Sequence, residues 1–135
     1  MVATIGAAAA VSCAPDDRAF TIDPVFTETQ RSTIASAGAK WNELLDETIS
    51  FDGGSWRITR GAVPEGYAAW TDADQRLVTI APHVSDDDLY RIVVHELGHS
   101  VGFVHHAEPG VMNPEPGPEF TDADRAECAT VRRCR

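Results

Sequence analysis

The chain has 135 residues, 43% apolar and 24% charged, which is room for one hydrophobic core and one site and is ordinary globular composition. Eleven Lys and Arg against 21 Asp and Glu leave a formal net charge of −10, which argues against nucleic acid or an anionic membrane surface as the main partner. No stretch reaches the roughly 18 apolar residues that a membrane-crossing helix needs, so transport and channel functions are set aside.

Residues 1–12 are almost all small or apolar and run into Cys13, after which Pro15, Asp16, Asp17 and Arg18 turn the chain polar. The run Ala10-Val11-Ser12-Cys13 resembles the lipobox of bacterial lipoproteins, although no cationic segment precedes it. That resemblance implies lipidation at Cys13 and an extracytoplasmic protein, secreted or held at the cell surface. Residues 1–18 therefore read as a signal-like, lipobox-like or flexible segment, and residues 19–135 as a single domain.

Alternation at Phe20-Thr21-Ile22 predicts a short strand closed by Asp23-Pro24. A helix follows, capped by Thr27 or Thr29, with Ile34, Ala37, Trp41, Leu44 and Leu45 recurring on one face. Ile49 and Phe51 alternate as a second strand; Asp52-Gly53-Gly54 is a turn, and Trp56, Ile58 and Thr59 read as a third. Residues 67–71 and 77–80 flank Asp72-Ala73-Asp74 as a hairpin that Pro82 ends. Ser85 followed by Asp86, Asp87 and Asp88 is a strong helix start, since a capping hydroxyl and three acids suit the positive end of the helix dipole. Leu89, Ile92, Val93 and Leu97 give that helix its apolar stripe, and Gly102 can take the left-handed conformation that stops it. Pro109, Gly110, Pro114, Pro116, Gly117 and Pro118 then make a long irregular connection, a length at which loops are usually functional.

Residues 121–135 read as a last helix carrying Cys128 and Cys134. Six helical residues separate Cα atoms by about 9 Å, beyond the roughly 7 Å limit for a disulfide, so this pair can bridge only if the last turn unwinds. A lipidated Cys13 would leave the two as an even pair, the arithmetic of an oxidising compartment; the alternative is three reduced thiols.

The chemistry concentrates in His95 to His105, HELGHSVGFVH. His95 and His99 stand at i and i+4, so one helix face offers two imidazoles to a single metal ion. Glu96 lies beside them at the position of a general base for a water on that metal. Gly102 lets the chain swing back so that His105 becomes a third ligand, and three histidines leave a tetrahedral zinc one open position. An open position belongs to catalysis; zinc bound without turnover, in a non-catalytic surface module, is the competing reading. His83 and His106 read as solvent-facing rather than as further ligands. Asp72 and Asp74 either decorate the hairpin or hold calcium.

HExxHxxGxxH followed by Gly110-Val111-Met112-Asn113-Pro114 resembles the signature of the metzincin zinc peptidases, and the branch it looks most like is the matrixins. Residues 34–51 resemble the backing helix and second strand of that branch, and Phe120-Thr121-Asp122-Ala123-Asp124 the start of its C-terminal helix. The resemblance implies an α+β fold: a small twisted mixed sheet with a backing helix and an active-site helix, then a methionine turn and a C-terminal helix. It implies one catalytic Zn²⁺ on His95, His99 and His105, Glu96 as base, and Met112 as an apolar floor beneath the metal. A peptide or protein substrate would pair with the edge strand near residues 77–80, and residues 113–119 would wall its pocket. Membrane contact would come only through a lipid anchor, and oligomeric state stays open. The pattern lacks a His and Asp cluster for a structural zinc, and no tyrosine follows Met112. Cys13-Ala14-Pro15-Asp16 faintly resembles the matrixin cysteine switch.

Overall fold

The computed structural model describes residues 18–131 and Cys134, so the lipobox-like run and Cys13 lie outside the described residues. Among these residues the order is β1 (Phe20–Ile22), α1 (Glu28–Asn42), β2 (Trp56–Arg60), β3 (Ala69–Asp72), β4 (Leu77–Ile80), α2 (Asp86–Ser100) and α3 (Asp122–Val131). The architecture is α+β, with one four-stranded mixed sheet in the order β1-β2-β4-β3. The first three strands in that order run parallel, and β3 returns antiparallel to β4. No described helix is long and apolar enough to cross a membrane.

Local chemistry accounts for the helix ends. Thr27 caps α1 through a reciprocal box in which its hydroxyl accepts the Gln30 N–H and the Gln30 side chain accepts the Thr27 N–H. Gln30 Nε2 also reaches Asp86 Oδ1 at 2.8 Å, which links the start of α1 to that of α2. Ile34, Ala37 and Trp41 bury the inner face of α1, which packs against α2. The Trp41 indole donates to the Val94 carbonyl at 2.7 Å, so the largest buried side chain of α1 also spends its one polar atom holding α2.

The expected strand at Ile49 to Phe51 does not form; only an isolated parallel bridge, Ala19 to Ser50, stands there. The Asn42 side chain takes both the N–H (2.7 Å) and the carbonyl (3.0 Å) of Ile49, so that residue has no backbone groups left for a ladder. The same residue ends α1, so Leu44 and Leu45 belong to the connection rather than to the helix, although Leu45 is still fully buried. The first hairpin strand begins at Ala69 rather than Tyr67, because the Tyr67 N–H is turned back onto the Pro64 carbonyl.

The Cys128–Cys134 disulfide is formed, with Cα atoms 5.5 Å apart. The helix ends at Val131, and Cys134 sits in an antiparallel bridge with Leu45, so the unwinding that the helical spacing demands is present.

Candidate metal centre

α2 presents His95 and His99 one turn apart, and its C-terminus is built to bring the third histidine back. Val101 is the C-cap and Gly102 follows at φ 101°. The Phe103 N–H reaches the Gly98 carbonyl at 2.9 Å and the Gly102 N–H reaches that of His99 at 3.1 Å, the paired bonds of a Schellman motif. This reversal buries Phe103 against Trp41 and turns the Phe103 carbonyl onto His99 Nδ1 at 2.9 Å.

The three Nε2 atoms converge: His95 to His105 is 3.0 Å, and His99 lies 3.2 Å from each of the others. Three ligands of one tetrahedral ion with bonds of 2.0–2.1 Å stand about 3.3 Å apart, so the triangle has the size that a single bound metal ion requires. Its protonation agrees. His95 Nδ1 donates to the Val111 carbonyl at 2.6 Å, and His99 Nδ1 donates to Phe103. A carbonyl only accepts, so each proton sits on Nδ1 and each Nε2 is a bare lone pair. Lone pairs of His95 and His99 facing each other at 3.2 Å are repulsive unless a cation lies between them. Burial, the largest influence on each, holds all three imidazoles below their ordinary value, His95 at about 4, and so keeps them in the neutral form that binds metal. Among the described residues this is the group of His, Cys, Asp or Glu close enough to hold an ion, with His95 buried, His99 half-buried and His105 exposed.

Glu96 is 6% exposed and faces the same cleft of about 580 Å³ that the three histidines line. Burial pushes its carboxyl up to about 7, against the lowering effect of the Thr71 hydroxyl, which lies 2.6 Å from Oε1. Ala69, Thr71, Pro114 and Pro116 form further lining, so the proline loop does wall the cleft.

Met112 is fully buried, and Gly98 makes room for it: a Cβ there would overlap Met112 Sδ and the Trp41 ring. The turn around Met112 hangs on Asp124 of α3. One oxygen of this fully buried carboxylate accepts the Val111 and Thr121 N–H groups, both at 2.9 Å; the other accepts the Met112 N–H at 3.2 Å and His106 Nε2 at 2.7 Å. Burial would raise the Asp124 pKa, but these four donors lower it further. Gly110, at φ 150°, approaches so closely that a Cβ would strike that carboxylate and Thr121.

Two readings of the site change. His106 is not solvent-facing; it is tied to Asp124, while His83 is exposed. Residues 77–80 are not an edge: β4 is bonded on both sides, to β2 and to β3, and among the described residues the free edge beside the cleft is β3. A hairpin returning after a parallel crossover leaves its first strand outside, an order that strand composition does not encode. Asp72 closes the hairpin by accepting the Gln75 N–H, and neither it nor Asp74 joins a metal-holding group. Asp124 and Thr71 have roles that the histidine spacing does not announce. For Asp124 the signal was the Thr121-x-x-Asp124 capping spacing, which marks a helix start but not its burial.

No family model matches the chain, and no curated protein matches it in sequence.

Proposed function

We propose that the chain is a zinc-dependent endopeptidase of metzincin type, matrixin-like in layout. The observation that carries this reading is the convergence of three Nε2 atoms, two of them left unprotonated by their Nδ1–carbonyl bonds, beside a buried carboxylate in an open cleft. The donor set, three neutral imidazoles with two of them seated on carbonyls, suits Zn²⁺. When bound there, Zn²⁺ acts as a Lewis acid, lowering the pKa of a water from 15.7 toward about 7 and polarising the scissile carbonyl.

The chain's own residues then manage protons and position. The Thr71 hydroxyl holds Glu96 Oε1, which leaves Oε2 to accept a proton from the attacking water. The water oxygen joins the carbonyl carbon, the C–N bond breaks, and Glu96 returns its proton to the departing amine, so one carboxylate serves as base and then acid. The unpaired edge of β3 supports docking of an extended peptide by strand addition. The Cys128–Cys134 disulfide supports an extracytoplasmic, secreted or cell-surface location.

The test is an unbiased peptide mixture incubated with zinc-loaded wild type, Glu96→Ala and His105→Ala, with new termini read by mass spectrometry and metal content by elemental analysis. Glu96→Ala should keep its zinc and lose at least about 10²-fold in rate. His105→Ala should lose both zinc and hydrolysis. Wild type that binds zinc and cleaves nothing would reject the reading in favour of a non-catalytic zinc module.

A further inference from the structure

Two large aromatic side chains stand exposed at the rim of the cleft: Tyr67 is 49% and Trp70 is 43% exposed, and their rings meet edge to face at 5.1 Å. Along β3 the side chains alternate. Ala69 is buried and Thr71 reaches Glu96 of α2, so Trp70 between them projects to the outer side of the free edge strand. Trp and Tyr each carry a large apolar ring area that burial would stabilise, so leaving both in water beside the cleft is the kind of exposure that marks a contact surface. Trp41 and Trp56, the other two tryptophans of the chain, are 0% and 4% exposed.

Resting on the peptidase reading, we infer that Tyr67 and Trp70 form an aromatic ledge that selects substrates by a large apolar or aromatic side chain next to the scissile bond. The register limits which side chain. A peptide added to β3 with its reacting carbonyl opposite Thr71 and Glu96 alternates its side chains as β3 does, about 3.3 Å per residue. Those on the α2 side enter the cleft between the histidines and the Pro114 and Pro116 wall. Those on the outer side lie along Trp70 and, farther along, Tyr67. The selected residue is therefore one whose side chain projects away from the cleft floor, and the ledge adds a second point of recognition to whatever the cleft accepts. The occupant is an extended peptide because the ledge is continuous with an unpaired strand edge, which offers backbone partners along the same line.

Trp70 is its own reporter. Zinc-loaded Glu96→Ala protein, which holds peptide without turnover, is titrated with blocked octapeptides of Ala, Ser and Gln in which a single Phe is moved through every position. Acrylamide quenching and the wavelength of tryptophan emission are followed. Phe at one position should shift the emission to the blue and shield the accessible tryptophan, and the Phe-free peptide should do neither. Measured by isothermal titration calorimetry, which needs no tryptophan reporter, Trp70→Ala should weaken binding of that peptide about tenfold, Trp70→Phe should restore most of it, and Val25→Ala, at an exposed site on another part of the surface, should change nothing. In the enzyme with Glu96 intact, Trp70→Ala should raise KM for the Phe peptide and leave kcat in place.

The inference falls if Trp70 stays quenchable at every peptide concentration, or if Trp70→Ala binds the Phe peptide as its parent does. It also falls if Trp70 is already shielded without peptide: shielding that grows with protein concentration would mean a second copy covers it, and shielding that does not would mean another segment of this chain does. Shielding by a peptide that wild type never cleaves would keep the ledge and remove the peptidase reading.

Discussion

Glu96 gains its chemistry from what surrounds it. An exposed glutamate is ionised throughout the neutral range, whereas burial lifts this one to about 7 and the Thr71 hydroxyl pulls it part of the way back. A base works as the carboxylate, so hydrolysis should fall as pH drops through its pKa, which a bound cation moves below 7. Thr71→Val removes the stabilising hydroxyl and should move the acid limb of kcat/KM to higher pH, as read from a pH–rate profile; an unmoved limb would mean Thr71 only packs. Asp124 is the second residue whose meaning is tertiary. Asp124→Asn puts an amide donor where only acceptors are wanted, against three backbone N–H groups and His106, and should destabilise the fold by about 1–3 kcal/mol. Zinc affinity should fall with it, because Val111 both hangs from Asp124 and seats His95. The sign with pH follows from the lowered pKa: wild type holds this contribution above the ordinary 3.8 and loses it as pH falls through the folded value, a dependence the variant lacks in melts recorded against pH.

At the scale of elements, a helix end does the work of a ligand. The Schellman reversal at Gly102 closes α2, and it also delivers the Phe103 carbonyl to His99 and starts the return to His105. Gly102→Ala should cost about 1–2 kcal/mol for the left-handed backbone and weaken zinc binding as well, by equilibrium dialysis, since the carbonyl that orients His99 shifts with it. An alanine variant less stable but with zinc affinity intact would separate the two roles. The helix itself was legible: Ser85, three acids, an apolar stripe and Gly102 mark its start, its face and its stop within the residues concerned. Ile49 to Phe51 alternates as a strand should and is none, because a single Asn42 side chain, seven residues back, takes the backbone groups of Ile49. Alternation states which face a segment could bury; it does not state whether a neighbouring side chain has already claimed its hydrogen bonds.

For the whole molecule, the C-terminal residues close the structure. Cys134 pairs with Leu45 after α1 and bonds Cys128 of α3, the helix that supplies Asp124 to the methionine turn. Opening so short a loop should cost about 2 kcal/mol in the chain-entropy account. Cys128→Ser with Cys134→Ser should therefore lower the melting temperature measurably and leave zinc stoichiometry at that of wild type, because Asp124 sits a full turn nearer the start of α3 than the bridge does. Loss of zinc in the double variant would place the disulfide inside the support of the metal centre. The sequence by itself determined the parts whose physics is short-ranged: the helix carrying His95, Glu96 and His99, its termination at Gly102, the return of His105, and the α+β character of the chain. Spacing suffices there because 3.6 residues per turn puts i and i+4 side by side whatever lies around them. Only the tertiary structure decided that β3 is the open edge, that Asp124 and His106 brace the methionine turn, and that Thr71 holds Glu96. Each of these joins residues between 12 and 25 positions apart, or strands whose order depends on a crossover, and hydrogen bonds of that range arise from packing that no local periodicity records.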